Sequence, residues 1–265
     1  MASELATISS NKIDQRFDRL QNAGRKALVC YVTAGHPDLA KSIDLMKGLE
    51  DAGADVLEIG VPFSDPIADG PVIQQSSQEA LAAGMNLDRT LELVNLARLD
   101  IPVVLFSYLN PLMAAGDGLL VNAKSAGVDG ILVTDLPVGA DEERESWLGS
   151  SDLAYIRLVA PTTPLERMKE IARNGSGFVY LISRLGVTGA QNALALDLPE
   201  TAARLRSATD LPICIGFGVS EPAQARAAAQ VADGVVVGSA IVRAASNRLE
   251  SAFSLTRSLR DALDS

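Results

Sequence analysis

Gly53-Ala-Asp-Val-Leu-Glu-Ile-Gly60 decides the fold, because its outline returns twice, as Gly127-Val-Asp-Gly-Ile-Leu-Val-Thr134 and as Val231-Ala-Asp-Gly-Val-Val-Val-Gly238. In each copy a helix end passes through an Asp into a short apolar run, the order expected of one repeated βα unit. Working outward, runs of the same type lie at Leu28–Thr33, Val56–Gly60, Val103–Tyr108, Gly130–Thr134, Tyr155–Val159, Phe178–Ser183, Ile213–Gly216 and Gly234–Gly238. Amphipathic stretches separate them, among them Ser42–Ala52, Asp88–Leu99, Asp141–Leu148, Leu165–Asn174, Leu198–Ala208 and Glu221–Gln230. Eight such runs alternating with helices imply parallel strands joined by right-handed crossovers. The expected fold is an α/β (β/α)8 TIM barrel, one domain over residues 1–265, with an extra N-terminal helix near Ile8–Asn22. A doubly wound open sheet is the competing architecture, but it usually has fewer strands.

Composition narrows the function. The chain is 48% hydrophobic and only 4% aromatic, a diet of small aliphatics that suits strands buried on both faces. Its formal net charge of -10 and the lack of a Lys/Arg cluster argue against nucleic acid or an anionic membrane as partner. An anionic ligand would have to be held by backbone N–H groups, since the overall field repels it. No apolar run approaches the ~20 residues of a membrane helix, and the polar N-terminus lacks a signal-peptide core. Cys30 and Cys214 lie in apolar runs, where a reducing cytoplasm fits better than a disulfide between them.

In such barrels the chemistry sits at the C-terminal ends of strands. Glu58 is an acid within an apolar strand, on the same face as Val56 and Gly60. Burial disfavours its ionised form, so it is expected to hold a proton near neutrality and act as general acid. The connection that follows is rich in Pro and Gly and carries Asp65 and Asp69. Turn or N-cap duty is the expectation for Asp65, and a hydrogen bond to a substrate N–H or hydroxyl for Asp69.

Ile215-Gly-Phe-Gly-Val-Ser220 and Val237-Gly-Ser-Ala240 occupy the usual barrel phosphate position, after strands 7 and 8, the second opening a short helix. Arg184-Leu-Gly-Val-Thr-Gly-Ala-Gln-Asn192 has the composition of a lid, with Arg184 and Thr188 completing a closed site. The lone His36 cannot build a metal cluster with a second His and is expected to be a turn or packing residue. Lys12, Lys26, Lys41, Lys47, Lys124 and Lys169 all fall in helices or before strands, which disfavours a Schiff-base mechanism. Asp65, Asp69 and Asp135 are the only candidate set for Mg²⁺, and spacing fixes no geometry among them.

These residues closely resemble the tryptophan synthase alpha subunit family. The likeness is carried by Thr33-Ala-Gly-His-Pro37, Glu58-Ile-Gly-Val-Pro-Phe-Ser-Asp-Pro-Ile-Ala-Asp-Gly-Pro71, Ser183-Arg-Leu-Gly-Val-Thr-Gly189, Gly216-Phe-Gly-Val-Ser220 and Gly238-Ser-Ala-Ile-Val242. It implies a cytoplasmic lyase that cleaves indole-3-glycerol phosphate to indole and glyceraldehyde 3-phosphate. It also implies no cofactor in this chain and a pyridoxal-phosphate-bearing beta subunit as partner, in an alpha2beta2 heterotetramer that receives the indole. By resemblance, Glu58 is the acid/base, Asp69 holds the indole N–H, and Tyr180 stands near the reacting centre. The phosphate would rest on Gly189, Gly218, Gly238 and Ser239, and Tyr31, Phe106, Tyr108, Leu132 and Thr134 would line the indole pocket. Two positions depart from the family: His36 replaces the usual Asp, and Leu185 stands where Thr or Ala is common. A non-catalytic regulatory barrel and another phosphate-binding barrel enzyme are the alternatives. Intact Glu58 and Asp69 favour the lyase over the first, and the absence of strand-end lysines argues against an indoleglycerol-phosphate synthase.

Overall fold

The computed structural model describes residues 11–182, 198–216 and 218–265. Strands β1 (Ala27–Thr33), β2 (Val56–Gly60), β3 (Val103–Ser107), β4 (Gly130–Val133), β5 (Ala154–Val159), β6 (Val179–Ile182), β7 (Ile213–Gly216) and β8 (Gly234–Val237) pair in parallel and close into a barrel in chain order. The closing pair is β8 on β1, with Val236 opposite Val29. The helices among the described residues are α1 (Lys12–Asn22), α2 (Leu39–Asp51), α3 (Pro71–Ala82), α4 (Leu87–Ala97), α5 (Leu109–Ala115) and α6 (Leu119–Ala126). They continue as α7 (Glu142–Gly149), α8 (Leu165–Arg173), α9 (Leu198–Arg206), α10 (Pro222–Ala229), α11 (Ser239–Asn247) and α12 (Leu249–Leu263). The expected strands all form. Tyr108, Thr134 and Gly238 lie just beyond the strand ends rather than within them.

Two apolar layers follow from strand alternation. Val29, Val56, Val104, Leu132, Ile156, Phe178, Cys214 and Val236 fill the barrel interior. Leu28, Leu57, Leu105, Ile131, Val179, Ile213 and Val235 point outward and pack under the helices. Cys30 belongs to the outer layer and Cys214 to the inner one, both as free thiols, so the wall of the barrel separates them.

The repeated Asp has a mechanical cause. Asp55 meets Leu28 twice: its N–H donates to the Leu28 carbonyl at 2.8 Å, and its carboxylate accepts the Leu28 N–H at 2.8 Å. Asp129 grips Val103 in the same two ways, at 2.8 and 3.0 Å, and Asp233 grips Ile213, at 2.8 Å for both bonds. Each Asp therefore clasps the first turn of one strand to the start of the strand beside it. Ser176 does the same for Tyr155. The clasp satisfies backbone groups where the ladder has not yet begun.

Helix α1 stoppers the N-terminal end of the barrel. Its Ile13, Phe17 and Leu20 join the interior cluster, and the Phe17 and Phe178 rings stand 5.6 Å apart. Asn11 caps the helix by accepting the Ile13 N–H. The expected start near Ile8 lies outside the described residues. Closing this end leaves the C-terminal face as the mouth.

Candidate active site

Glu58 sits midway along β2, opposite Tyr31 of β1 and Val104 of β3. It is 1% exposed, and among the described residues its Oε1 has no hydrogen-bond partner. Burial without a compensating partner pushes its carboxyl up to about 8. At neutral pH the side chain is therefore mostly protonated, a donor inside a largely apolar barrel.

Two tyrosines share this space because two glycines make room. A Cβ at Gly60 would collide with the Tyr31 hydroxyl, and one at Gly216 would collide with the Tyr180 hydroxyl. Both rings are buried, and burial raises both phenols, with Glu58 adding to the effect. Asp69 raises Tyr31 as well, so both carboxyls lie within electrostatic reach of one hydroxyl. Tyr31 meets Phe106 edge to face, with centroids 5.2 Å apart.

Asp69 enters from the loop after β2. Its N–H closes a turn on the Pro66 carbonyl, and its Oδ2 accepts the Tyr108 hydroxyl at 3.0 Å. Tyr108 in turn accepts the Ala68 N–H at 2.9 Å, so one phenol braces two neighbouring loop residues. Partial burial raises the Asp69 carboxyl to about 6 against the lowering pull of the Tyr108 bond. Leu132 is buried in the interior, and Thr134 at the end of β4 is half-buried.

Gly238 follows β8 and precedes α11 with no side-chain cap, while Ser239 is exposed as the first helical residue. The first N–H groups of that helix lack partners within it and carry the positive end of its dipole. Gly218 has φ 92°, a left-handed backbone that a side chain would strain. These groups can bind an anion without any charged side chain, as the acidic composition requires. Gly189, Arg184 and Thr188 lie outside the described residues.

Several expectations need correction. Tyr108, expected as the last residue of a strand, is instead the extended residue before α5, and Pro111 falls in the first turn of that helix, where its missing N–H costs nothing. Asp65 is exposed and accepts the Ser64 hydroxyl, whereas Gly70 precedes α3, so it is not an N-cap. Asp135 accepts the Leu109 N–H at 2.7 Å and serves the start of α5. Among the described residues no three His, Cys, Asp or Glu side chains gather into a possible metal site, so Asp65, Asp69 and Asp135 do not form one. His36, as expected, is buried in packing. Spacing also gave no hint of a hydroxyl pair beneath Tyr31. The Thr33 and Ser76 hydroxyls stand 2.6 Å apart, and they join residues that only the barrel brings together.

Comparison with known proteins agrees with this geometry. The family model described as tryptophan synthase alpha chain matches residues 17–262. A tryptophan synthase alpha chain from Desulfatibacillum aliphaticivorans is 48% identical over 241 residues, 90% of this chain and 91% of the relative. One from Geobacter sp. (strain M21) is 49% identical over 236 residues, 88% of each. The crystal structure of tryptophan synthase subunit alpha from Legionella pneumophila str. Paris superposes with a TM-score of 0.88 at 35% identity, covering 97% of this chain and 99% of that one. An aminoacrylate-bound tryptophan synthase from M. tuberculosis gives 0.86 at 32% identity, covering 96% and 100%.

Proposed function

The chain belongs to the tryptophan synthase alpha chain family, lyases that cleave indole-3-glycerol phosphate, and we propose that Glu58 and Asp69 carry that cleavage here. The bond between indole C3 and the glycerol side chain breaks when C3 is protonated and the adjacent hydroxyl gives up its proton. Glu58, protonated near neutrality, delivers the first proton and, once ionised, accepts the second. The proton is thus returned, and indole and glyceraldehyde 3-phosphate leave. Asp69 offers its second oxygen to the indole N–H and so stabilises the positive charge that the ring gains at C3 protonation. Tyr31, Phe106, Tyr108, Leu132 and Thr134 hold the ring, and Tyr180 walls the reacting carbon on the side of β6. The phosphate rests on the N–H groups at Gly218, Gly238 and Ser239, with Gly189 added from the loop after β6. Arg184 and Thr188 belong to a lid over the same mouth. These steps use no cofactor of the alpha chain itself.

The carrying observation is a carboxyl that is sealed from water, lacks a partner at Oε1 and is protonated at neutral pH. Glu58→Gln keeps the volume but cannot deliver a proton. Indole release should fall by ~10²–10⁴-fold or more, while glycerol 3-phosphate still binds. Substantial indole release by the variant would remove Glu58 from this role.

We also place the pyridoxal-phosphate-bearing beta subunit against the loop after β2, in an alpha2beta2 assembly in the cytoplasm. That loop presents Ile67 at 85% exposure, beside a groove of about 700 Å³ lined by Phe63, Asp65, Pro66, Gln74 and Leu81. Direct transfer of indole across this contact would spare an apolar product from solvent.

A further inference from the structure

His36 is a buried polar group that the proposed chemistry does not use, and its ring stands between two helices. It lies on the turn after β1, where Ala34 donates to the Gly60 carbonyl, Gly35 donates to the Ser42 hydroxyl and His36 donates to the Thr33 carbonyl. The turn is thereby tied to β2 and α2. From it the imidazole, 4% exposed, reaches α11: Nε2 stands 2.8 Å from the Ser246 hydroxyl. That hydroxyl also lies 2.9 Å from the Val242 carbonyl, so Ser246 joins the imidazole to the backbone of its own helix. Nδ1 lies 3.3 Å from the Glu79 carboxylate on α3.

Helix α11 is therefore attached to β1 and its turn at both ends. At its start, Gly238 follows Val237, the partner of Cys30 on β1, and even a Cβ built on Gly238 would meet the Tyr31 Cβ at 3.4 Å, so the helix begins beside β1. At its far end, Ser246 is held by His36. A helix of nine residues is about 13 Å long. Without that bond the helix is held through the packing of Ile241, Val242 and Ala245, which fixes its position more sharply than its direction, and the N–H groups at Ser239 can turn. Hydrogen bonds to an anion weaken steeply with such misalignment.

We infer that His36 is a positioning residue for the phosphate end of the substrate, aiming the first N–H groups of α11 through its bond to Ser246. This rests on the phosphate placement proposed above. It gives the His at this position a role that packing alone would not.

The test uses the full chain, with glycerol 3-phosphate as the binding probe and indole-3-glycerol phosphate as substrate. Ser246→Ala removes the hydroxyl at an exposed helix position and avoids any cavity, while His36→Ala removes the ring that meets it. Both should weaken glycerol 3-phosphate binding and raise KM by about tenfold, the value of one well-made hydrogen bond, with kcat changed less than twofold. His36→Gln, whose amide can still donate to Ser246, should recover most of the affinity. Ser239→Asp, which sets a carboxylate at the helix start, tests the phosphate placement separately. If Ser239→Asp abolishes probe binding while Ser246→Ala and His36→Ala leave KM unchanged, the role of His36 is overturned and the phosphate placement stands. If Ser239→Asp leaves probe binding intact, the placement fails and takes this inference with it. A fall in kcat without a change in KM in the His36 and Ser246 variants would also overturn it.

Discussion

At the scale of single residues, two carboxyls are tuned in the same direction by different amounts. Glu58 has burial alone acting on it, whereas Asp69 is less buried and receives the Tyr108 hydroxyl. Tyr108→Phe removes that donor, so the Asp69 carboxyl should rise further above about 6. The acidic limb of the kcat/KM profile for indole-3-glycerol phosphate should then move to higher pH, as a pH series of steady-state rates would reveal. An unmoved limb would mean that Asp69 does not set it. Glu58 also carries a stability cost with a definite sign. Its folded carboxyl sits at about 8, well above its ordinary 4.5, so the folded state binds the extra proton between those values. The stability that this proton lends is complete below about pH 4.5 and is lost as pH rises through 8. Glu58→Gln should therefore melt above wild type by a margin that widens from about pH 4.5 to 8. At one pKa unit per ~1.4 kcal/mol, the gain is at most a few kcal/mol. Thermal melts across that pH range would expose a flat difference if Glu58 ionises freely.

At the scale of elements, the clasps decide how strands enter the barrel. Asp129 lies 3.8 Å from Lys12 and accepts one backbone N–H. Asp55, 2% exposed, also binds Arg260 at 2.8 Å and Arg16 at 2.9 Å, tying β1, α1 and α12 together. Asp129→Ala should cost about 1–3 kcal/mol for the unpaired Val103 N–H. Asp55→Ala should cost more than Asp129→Ala, because besides unpairing the Leu28 N–H it leaves Arg260 with Asp264 as its one carboxylate and takes the carboxylate from Arg16. Urea titrations of both variants give the ranking, and equal midpoints would show that the arginines do not depend on Asp55. The echo was legible in the sequence for the same physical reason: where an Asp makes the clasp, before β2, β4 and β8, it must stand at the same place ahead of the strand. Helices α3, α5, α6 and α12 were not foreseen. Helices α5 and α6 are only 7 and 8 residues long, and α3 follows a Pro- and Gly-rich loop that reads as irregular throughout. Helix α12 has a regular buried stripe at Ala252, Thr256, Leu259 and Leu263 but lies past the last strand, outside the strand–helix alternation.

At the scale of the whole molecule, one end of the barrel is closed and the other is open. Helix α1 seals the N-terminal end, so ligand reaches the interior from the opposite face, where the proposed beta-subunit contact also lies. The exposed Ile67 and Asp65 stand there. Reversing charge with Asp65→Lys, or placing charge on the apolar tip with Ile67→Asp, should weaken association with a beta subunit at least tenfold. Melting of the free chain should hardly move, since both residues are exposed. Sedimentation of mixtures would measure this, and undiminished association of both variants would put the contact elsewhere.

What the sequence determined alone was whatever repeats or stands out locally. The periodic strands, the recurring Asp, the acid in an apolar run and the glycines after strands 7 and 8 each owe their meaning to near neighbours. Glu58 could be named because a carboxyl among Val, Leu and Ile is conspicuous on one strand. The tertiary structure alone decided what depends on groups far apart along the chain. Tyr108 finds Asp69, Thr33 finds Ser76, and His36 finds Ser246 across 210 positions because barrel closure brings strand ends to one rim. The carboxyl values follow the same rule. Residue identity supplies a titratable group, and burial by side chains from other strands sets the pH at which it holds its proton.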